Sequence, residues 1–132
     1  MTRPFRLKAP RPLEFDEQKA LFEWVEIASR QAPELALLYA IPNGMRSSSI
    51  AEAARHKATG LKAGVPDCCL PVPRRCFHGL YIELKRRGST ARDVSQYQRW
   101  WLAVLNEQGY LARVAAGWEE ARSILLEYLE LV

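Results

Sequence analysis

Residues 64–85 read GVPDCCLPVPRRCFHGLYIELK. A Gly-Val-Pro turn leads into an apolar run over residues 67–72; Pro73, Arg74 and Arg75 then turn the chain, and a second apolar run covers residues 80–85. Two such runs separated by a Pro-containing turn predict an antiparallel hairpin. If the hairpin is symmetric about its turn, pairing Val72 with His78 sets Asp67 directly opposite Glu83. Opposed residues share a face of the sheet, and alternation along the strand brings Lys85 to that same face. Two carboxylates and an ammonium then converge at one end of an otherwise apolar hairpin. A slip of one residue would scatter them.

Neighbouring carboxylates repel each other unless a positive charge lies between them. A divalent cation removes that cost, and an all-oxygen donor set selects a hard ion such as Mg²⁺ or Mn²⁺. Such an ion polarises a phosphodiester and stabilises its leaving oxygen. Lys85 adds a cation to orient water or neutralise charge building on phosphorus. Taken alone, Glu83-x-Lys85 is also what a solvent-facing strand with a weak surface ion pair looks like.

Outward from the hairpin, Asp16 is a candidate cap for a helix over residues 17–30, with Leu21, Trp24, Val25 and Ala28 as its apolar stripe and Pro33 as its stop. Residues 35–41 read as a buried strand or extended segment ending at the turn Pro42-Asn43-Gly44. Ser49-x-x-Glu52 opens a short helix as a capping box, and Gly60 suits its C-terminal end. After a polar loop over residues 86–93, a long helix is expected over residues 94–108. Tyr97, Trp101, Val104 and Leu105 lie on one of its faces. Residues 110–115 form a last strand and 118–131 a last amphipathic helix. The order α-β-α-β-β-α-β-α describes one α/β domain, a small mixed sheet flanked by helices.

With 132 residues the chain has room for one core. Residues 1–14 read as a mobile basic arm and 15–132 as the domain. The arm has no apolar run of a signal peptide, and no stretch is long enough to cross a bilayer, so no membrane partner and a cytoplasmic location are expected. A net charge of +4, carried by fourteen arginines and five lysines, favours a phosphate-rich partner. Cys68, Cys69 and Cys76 lack both a disulfide pattern and zinc spacing. They read as ordinary small residues, and His56 and His78 as structural.

Pro66-Asp67 followed by Glu83-Leu84-Lys85 resembles the PD-(D/E)xK, restriction-endonuclease-like nuclease superfamily and, within it, the VRR-NUC family, which has stand-alone phage and bacterial members. The resemblance runs from Glu17 to Leu129. It is carried by Glu17, Pro42-Asn43-Gly44, Lys62-Ala63-Gly64-Val65-Pro66-Asp67, Ile82-Glu83-Leu84-Lys85 and Ser95-Gln96-Tyr97-Gln98. It implies that Asp67 and Glu83 are metal-binding acids, that the Leu84 carbonyl is a further ligand, and that Lys85 is the catalytic lysine. Glu17 would be the first-helix acid, bound to the metal directly or through water, and Gln98 the helix glutamine that closes the site. It further implies a homodimeric, Mg²⁺- or Mn²⁺-dependent DNA endonuclease acting on branched DNA such as four-way junctions.

Helical spacing gives Glu17 and Gln98 independent support. Glu17 precedes Leu21 by four residues and Val25 by eight, and Gln98 precedes Trp101, Leu102 and Leu105 by three, four and seven, so both face inward. A first-turn acid favoured by the helix dipole and a glutamine satisfied by backbone fit the same positions. Further candidates for contact with a nucleic-acid backbone are Asn43 to Arg46, the stretch Arg55-His56-Lys57, and Arg74, Arg75, Arg86, Arg87 and Arg92. Of Trp100 and Trp101, one is expected in the core and the other exposed. The main competing reading is a non-catalytic nucleic-acid-binding module. A glycosidic or phosphate-transferring enzyme using the two acids would have no need of Lys85.

Overall fold

The computed structural model of the protein describes residues 14–42 and 49–131. The expected arm therefore lies outside the described residues except for Glu14, as does the stretch Asn43 to Arg46. The elements follow the expected order: α1 (Glu14–Ala28), β1 (Tyr39–Ala40), α2 (Ile50–Ala58), β2 (Cys68–Leu70), β3 (Leu80–Lys85), α3 (Gln96–Glu107), β4 (Leu111–Ala116) and α4 (Trp118–Tyr128).

The four strands form one sheet in the order β1-β2-β3-β4. Strands β1, β2 and β3 are antiparallel neighbours. Strand β4 runs parallel to β3, which requires a crossover, and α3 supplies it. In the hairpin Cys68 pairs with Ile82 and Leu70 with Leu80, the register that sets Asp67 opposite Glu83. The pairing expected at Val72 and His78 does not form. Pro71 and Pro73 have no N–H to extend the ladder. Val72 donates instead to the Leu70 carbonyl and His78 to that of Gly109, while Arg74 and Phe77 close the turn through two mutual bonds.

The two sheet faces differ in kind. Leu80, Ile82 and Leu84 of β3, with Cys68 and Leu70 of β2, point into a core shared with Leu21 and Val25 of α1 and Ala121, Ile124 and Leu125 of α4. Tyr81, Glu83 and Lys85 point the other way, toward the side on which α3 packs. Of the apolar stripe expected of α1, Leu21 and Val25 are buried, while Trp24 and Ala28 are half-buried against the core.

Several boundaries move for local reasons. Asp16 is not a cap: α1 already includes Glu14, so Asp16 lies in its first turn. Residues 35–41 are not one strand. Pro33 opens a 3₁₀ turn (Pro33–Leu37) that buries Leu35, and only Tyr39–Ala40 pair with β2. The long helix starts later than residue 94 because Ser95 caps it, after a short 3₁₀ turn (Ala91–Asp93). Tyr97, expected on the packed face, is exposed: in this first turn of α3 it is the backbone that packs, against Gly64.

The buried end of α4 is held by a hydrogen bond from the Tyr128 hydroxyl to the Val72 carbonyl at 2.6 Å. Replacing Tyr128 by Phe leaves that carbonyl without its donor, so Y128F should lower unfolding stability by about 1–3 kcal/mol, read as a lower urea midpoint at unchanged slope.

Candidate active site

Asp67 lies just before β2 but is fixed to both neighbouring strands. Its carbonyl accepts the Ile41 N–H at 2.7 Å, and its Oδ2 accepts the Leu84 N–H at 2.7 Å. Glu83 is 2 % exposed. Its Oε1 accepts from Gln98 Nε2 at 2.9 Å and lies 3.6 Å from Lys85 Nζ. Its Oε2 is buried, and no hydrogen-bond donor reaches it among the described residues. Burial, then the neighbouring Asp67 charge, pushes the Glu83 carboxyl well above the usual range, against the pull of Lys85. Burial raises Asp67 as well, opposed by the Leu84 N–H and by hydrogen bonding with Glu83. A shared proton is one way to relieve this pair, and a cation is another.

Lys85 is almost completely buried, with its ammonium between Glu83 and Glu14 Oε1, which is 3.7 Å away. Gln98 is placed by a capping box. Its own N–H donates to Ser95 Oγ, and its side-chain Oε1 accepts the Ser95 N–H at 2.8 Å, which leaves Nε2 for Glu83. Both readings of Gln98 therefore hold at once, since one end satisfies backbone and the other reaches the acids. The start of α3 is brought close by Gly64, which has φ +85°; a Cβ there would lie 2.6 Å from Tyr97 backbone and 2.8 Å from the Gln98 nitrogen.

Glu17 is buried as expected but turned elsewhere. Its Oε2 accepts the Trp118 N–H at 2.6 Å, and its Oε1 lies 4.0 Å from Arg87, which also binds Glu119 at 2.9 Å. It thus caps α4, whose N-cap residue, Gly117, has no side chain to do so. A different first-helix acid, Glu14, shares with Asp67, Glu83 and Gln98 a cleft of about 1000 Å³. Sequence reasoning passed over Glu14, although it precedes Glu17 by three residues and so lies on a neighbouring part of the same helix surface. It also passed over the Ser95-x-x-Gln98 capping box.

The weaker candidates divide. His56 and Lys57 line the cleft. Arg74 and Arg75 are engaged with Glu34 and Glu130, and Arg75 also lies over the Phe77 and Tyr128 rings. His78 packs edge-on against Tyr110. Trp101 is half-buried and donates to the Ala63 carbonyl at 3.1 Å, while Trp100 is exposed. All three cysteines are free, Cys68 and Cys69 buried and Cys76 exposed.

Among the described residues no three His, Cys, Asp or Glu side chains encircle a point as a closed metal cluster. A hard ion such as Mg²⁺ does not need one, because it binds through one or two carboxylates and keeps several waters. Asp67 and Glu83, with an orphaned buried oxygen open to a positive partner, fit that requirement.

The VRR-NUC family model and a similar solved structure mark this as a nuclease-type domain that acts on DNA. The chain belongs to the VRR-NUC family: the VRR-NUC domain model matches residues 13–119. A solved structure described as a VRR_NUC domain protein is similar, with 29% identity and a TM-score of 0.75, covering 95% of this chain and 93% of that one. No curated protein matches the chain. Nucleases of this family are generally dependent on a divalent metal.

Two outcomes follow from this geometry. Gly60 and Gly64 both have positive φ, but a Cβ at Gly60 meets nothing within 4 Å. Gly60→Ala should cost about 1 kcal/mol of conformational strain, and Gly64→Ala roughly 3 kcal/mol, because overpacking adds to the strain; paired urea melts distinguish them. The second concerns pH without divalent cations. The folded-state pKa of Glu83 is raised, so its contribution to stability is complete below the usual glutamate pKa of about 4.3 and is lost as pH rises toward the folded value. Melting temperature in chelator should fall between about pH 5 and pH 8, and Glu83→Gln should flatten most of that fall.

Proposed function

We propose that the chain is a Mg²⁺- or Mn²⁺-dependent endodeoxyribonuclease whose cation is held by Asp67, Glu83 and the Leu84 carbonyl. The observation that carries this reading is the donorless, buried Oε2 of Glu83 beside a second acid on the facing strand. Asp67, tied through Leu84 and Ile41, holds its carboxylate in a fixed direction. When bound, the cation supplies Lewis acidity at a phosphoryl oxygen and charge neutralisation at the leaving oxygen. Lys85 orients the attacking water and offsets charge that builds on phosphorus. Gln98 fixes the Glu83 carboxylate through Oε1 and closes that side of the cleft.

The first-helix acid of the centre is Glu14, which holds Lys85 from the cleft side. Glu17, the acid expected in that role, instead keeps α4 in place against β3. On the substrate, the reading extends to branched DNA, four-way junctions included, cut by a homodimer. A two-fold pair of copies presents two centres to two strands of matching symmetry.

Cleavage of labelled linear, flap and four-way junction DNA should require Mg²⁺ or Mn²⁺ and stop with chelator. Asp67→Ala, Glu83→Gln and Lys85→Met should each lower the rate roughly 100-fold or more, and Glu14→Gln roughly tenfold. Glu17→Gln should mainly lower melting temperature, by the loss of about 1 kcal/mol of capping. Undiminished cleavage by Glu83→Gln rules out this centre. DNA binding with no cleavage by the native chain favours the binding-module reading, and a monomer in light scattering that cuts linear duplex and junctions equally rules out the dimeric, junction-selective form.

A further inference from the structure

Two exposed aromatic rings of α3 stand beside this centre. Tyr97 and Trp100 are 68% and 58% exposed. They stand three residues apart on α3, one turn above the other on the same surface of the helix, and Tyr97 is itself part of the cleft wall that includes Asp67 and Glu83. Neither position is loose. The backbone of Tyr97 is packed on Gly64. The Trp100 ring stands edge-on to Trp101 at 5.4 Å and 88°, and Trp101 is pinned by its indole bond to Ala63. Cations complete the surroundings, because Lys57 and Lys62 line the same cleft.

We propose that Tyr97 and Trp100 form a stacking platform for unpaired nucleotides, so that among branched DNAs the chain favours those with unpaired bases next to the phosphate that is cut. Exposed aromatic rings at the edge of a cleft that also holds lysines suit single-stranded nucleic acid: the rings take the base faces and the cations follow the phosphates. The bases of a continuous duplex are stacked within the helix and present no free face to rings on a cleft rim. An open branch, a flap or a single-stranded end does. The charge of the neighbouring lysines makes nucleic acid the occupant in preference to an apolar protein surface. This inference rests on the cleft being the DNA site, and it adds residues that choose among DNA forms without taking part in hydrolysis.

The test is equilibrium binding by fluorescence anisotropy in chelator, where cleavage plays no part. The probes are a labelled oligothymidylate, a flap DNA and a blunt linear duplex, with Tyr97→Ala, Trp100→Ala and the conservative Tyr97→Phe and Trp100→Phe variants of the full chain. Each alanine variant should bind oligothymidylate and flap roughly tenfold or more weakly, and the duplex unchanged. The phenylalanine variants, which keep a ring, should retain most of the affinity. Equal losses on all three probes overturn the platform, as does an unchanged flap affinity. So does conversion of a dimer to a monomer by Trp100→Ala, which would make the ring part of a subunit seam. Cleavage by the same preparations in Mg²⁺ reads the catalytic centre separately: a chain that binds flap through these rings yet cuts nothing refutes the nuclease centre and leaves the platform standing.

Discussion

The pairing of Cys68 with Ile82 and of Leu70 with Leu80 fixes where two acids meet. Asp67 and Glu83 lie at the end of a ladder whose core-facing residues, Cys68, Leu70, Leu80 and Ile82, are all buried. Apolar packing on the α1 and α4 side leaves the register no freedom, since a shift by one residue would turn that whole set away from this core and bring the charged Glu83 and Lys85 into it. The sheet therefore uses the packing energy of one face to hold repelling charges together on the other. A carboxylate pair of this kind disfavours its own ionised state, and that is the condition under which a cation adds most to the folded protein.

The rest of the centre depends on that pair from two directions. The segment around Gly64 approaches the first turn of α3 so closely that a side chain would not fit, and the capping box at Ser95 then aims one end of Gln98 at Glu83. From the opposite side, α1 provides two acids with separate duties. Glu14 stands toward the cleft and Lys85. Glu17, one turn on, closes the start of α4 through the Trp118 N–H. Gly117 explains the second duty: its φ of +99° suits the turn out of β4, but it has no side chain to cap the helix it precedes. A helix N-terminus left open in the interior would leave backbone donors unsatisfied, so an acid from a distant part of the chain supplies what the local sequence does not.

That division shows what the sequence could and could not reveal. The hairpin was legible because strand alternation and turn position act over a few residues, and β3 begins and ends where the pattern puts it. The helices were legible from their stripes, although the cap of α3 shifted its start. The register was recovered at the Asp67 end although its assumed anchor, Val72 opposite His78, does not exist. The two prolines release that end from the ladder, and the paired segment keeps the same alignment. Glu17 is the instructive case. Its inward position follows from the i, i+4, i+8 spacing to Leu21 and Val25, but its partner is Trp118, 101 residues away. Helical periodicity gives burial; it carries no information on which distant N–H will need an acceptor.

The same limit bears on the aromatic residues. Periodicity places Tyr97 on the packed face because it shares a stripe with Trp101 and Leu105, yet burial along that stripe falls off toward the start of the helix. Leu105 is covered and Trp101 partly so, whereas Tyr97 extends over the cleft. A ring at such a position has no stabilising contact in proportion to its area, and burying an aromatic is worth about 1.5–3 kcal/mol that this site does not collect from its own fold. Leaving Tyr97 and Trp100 in water beside lysines and a pair of acids makes physical sense when another molecule covers them. A nucleobase suits both the flat apolar faces and the charge around them.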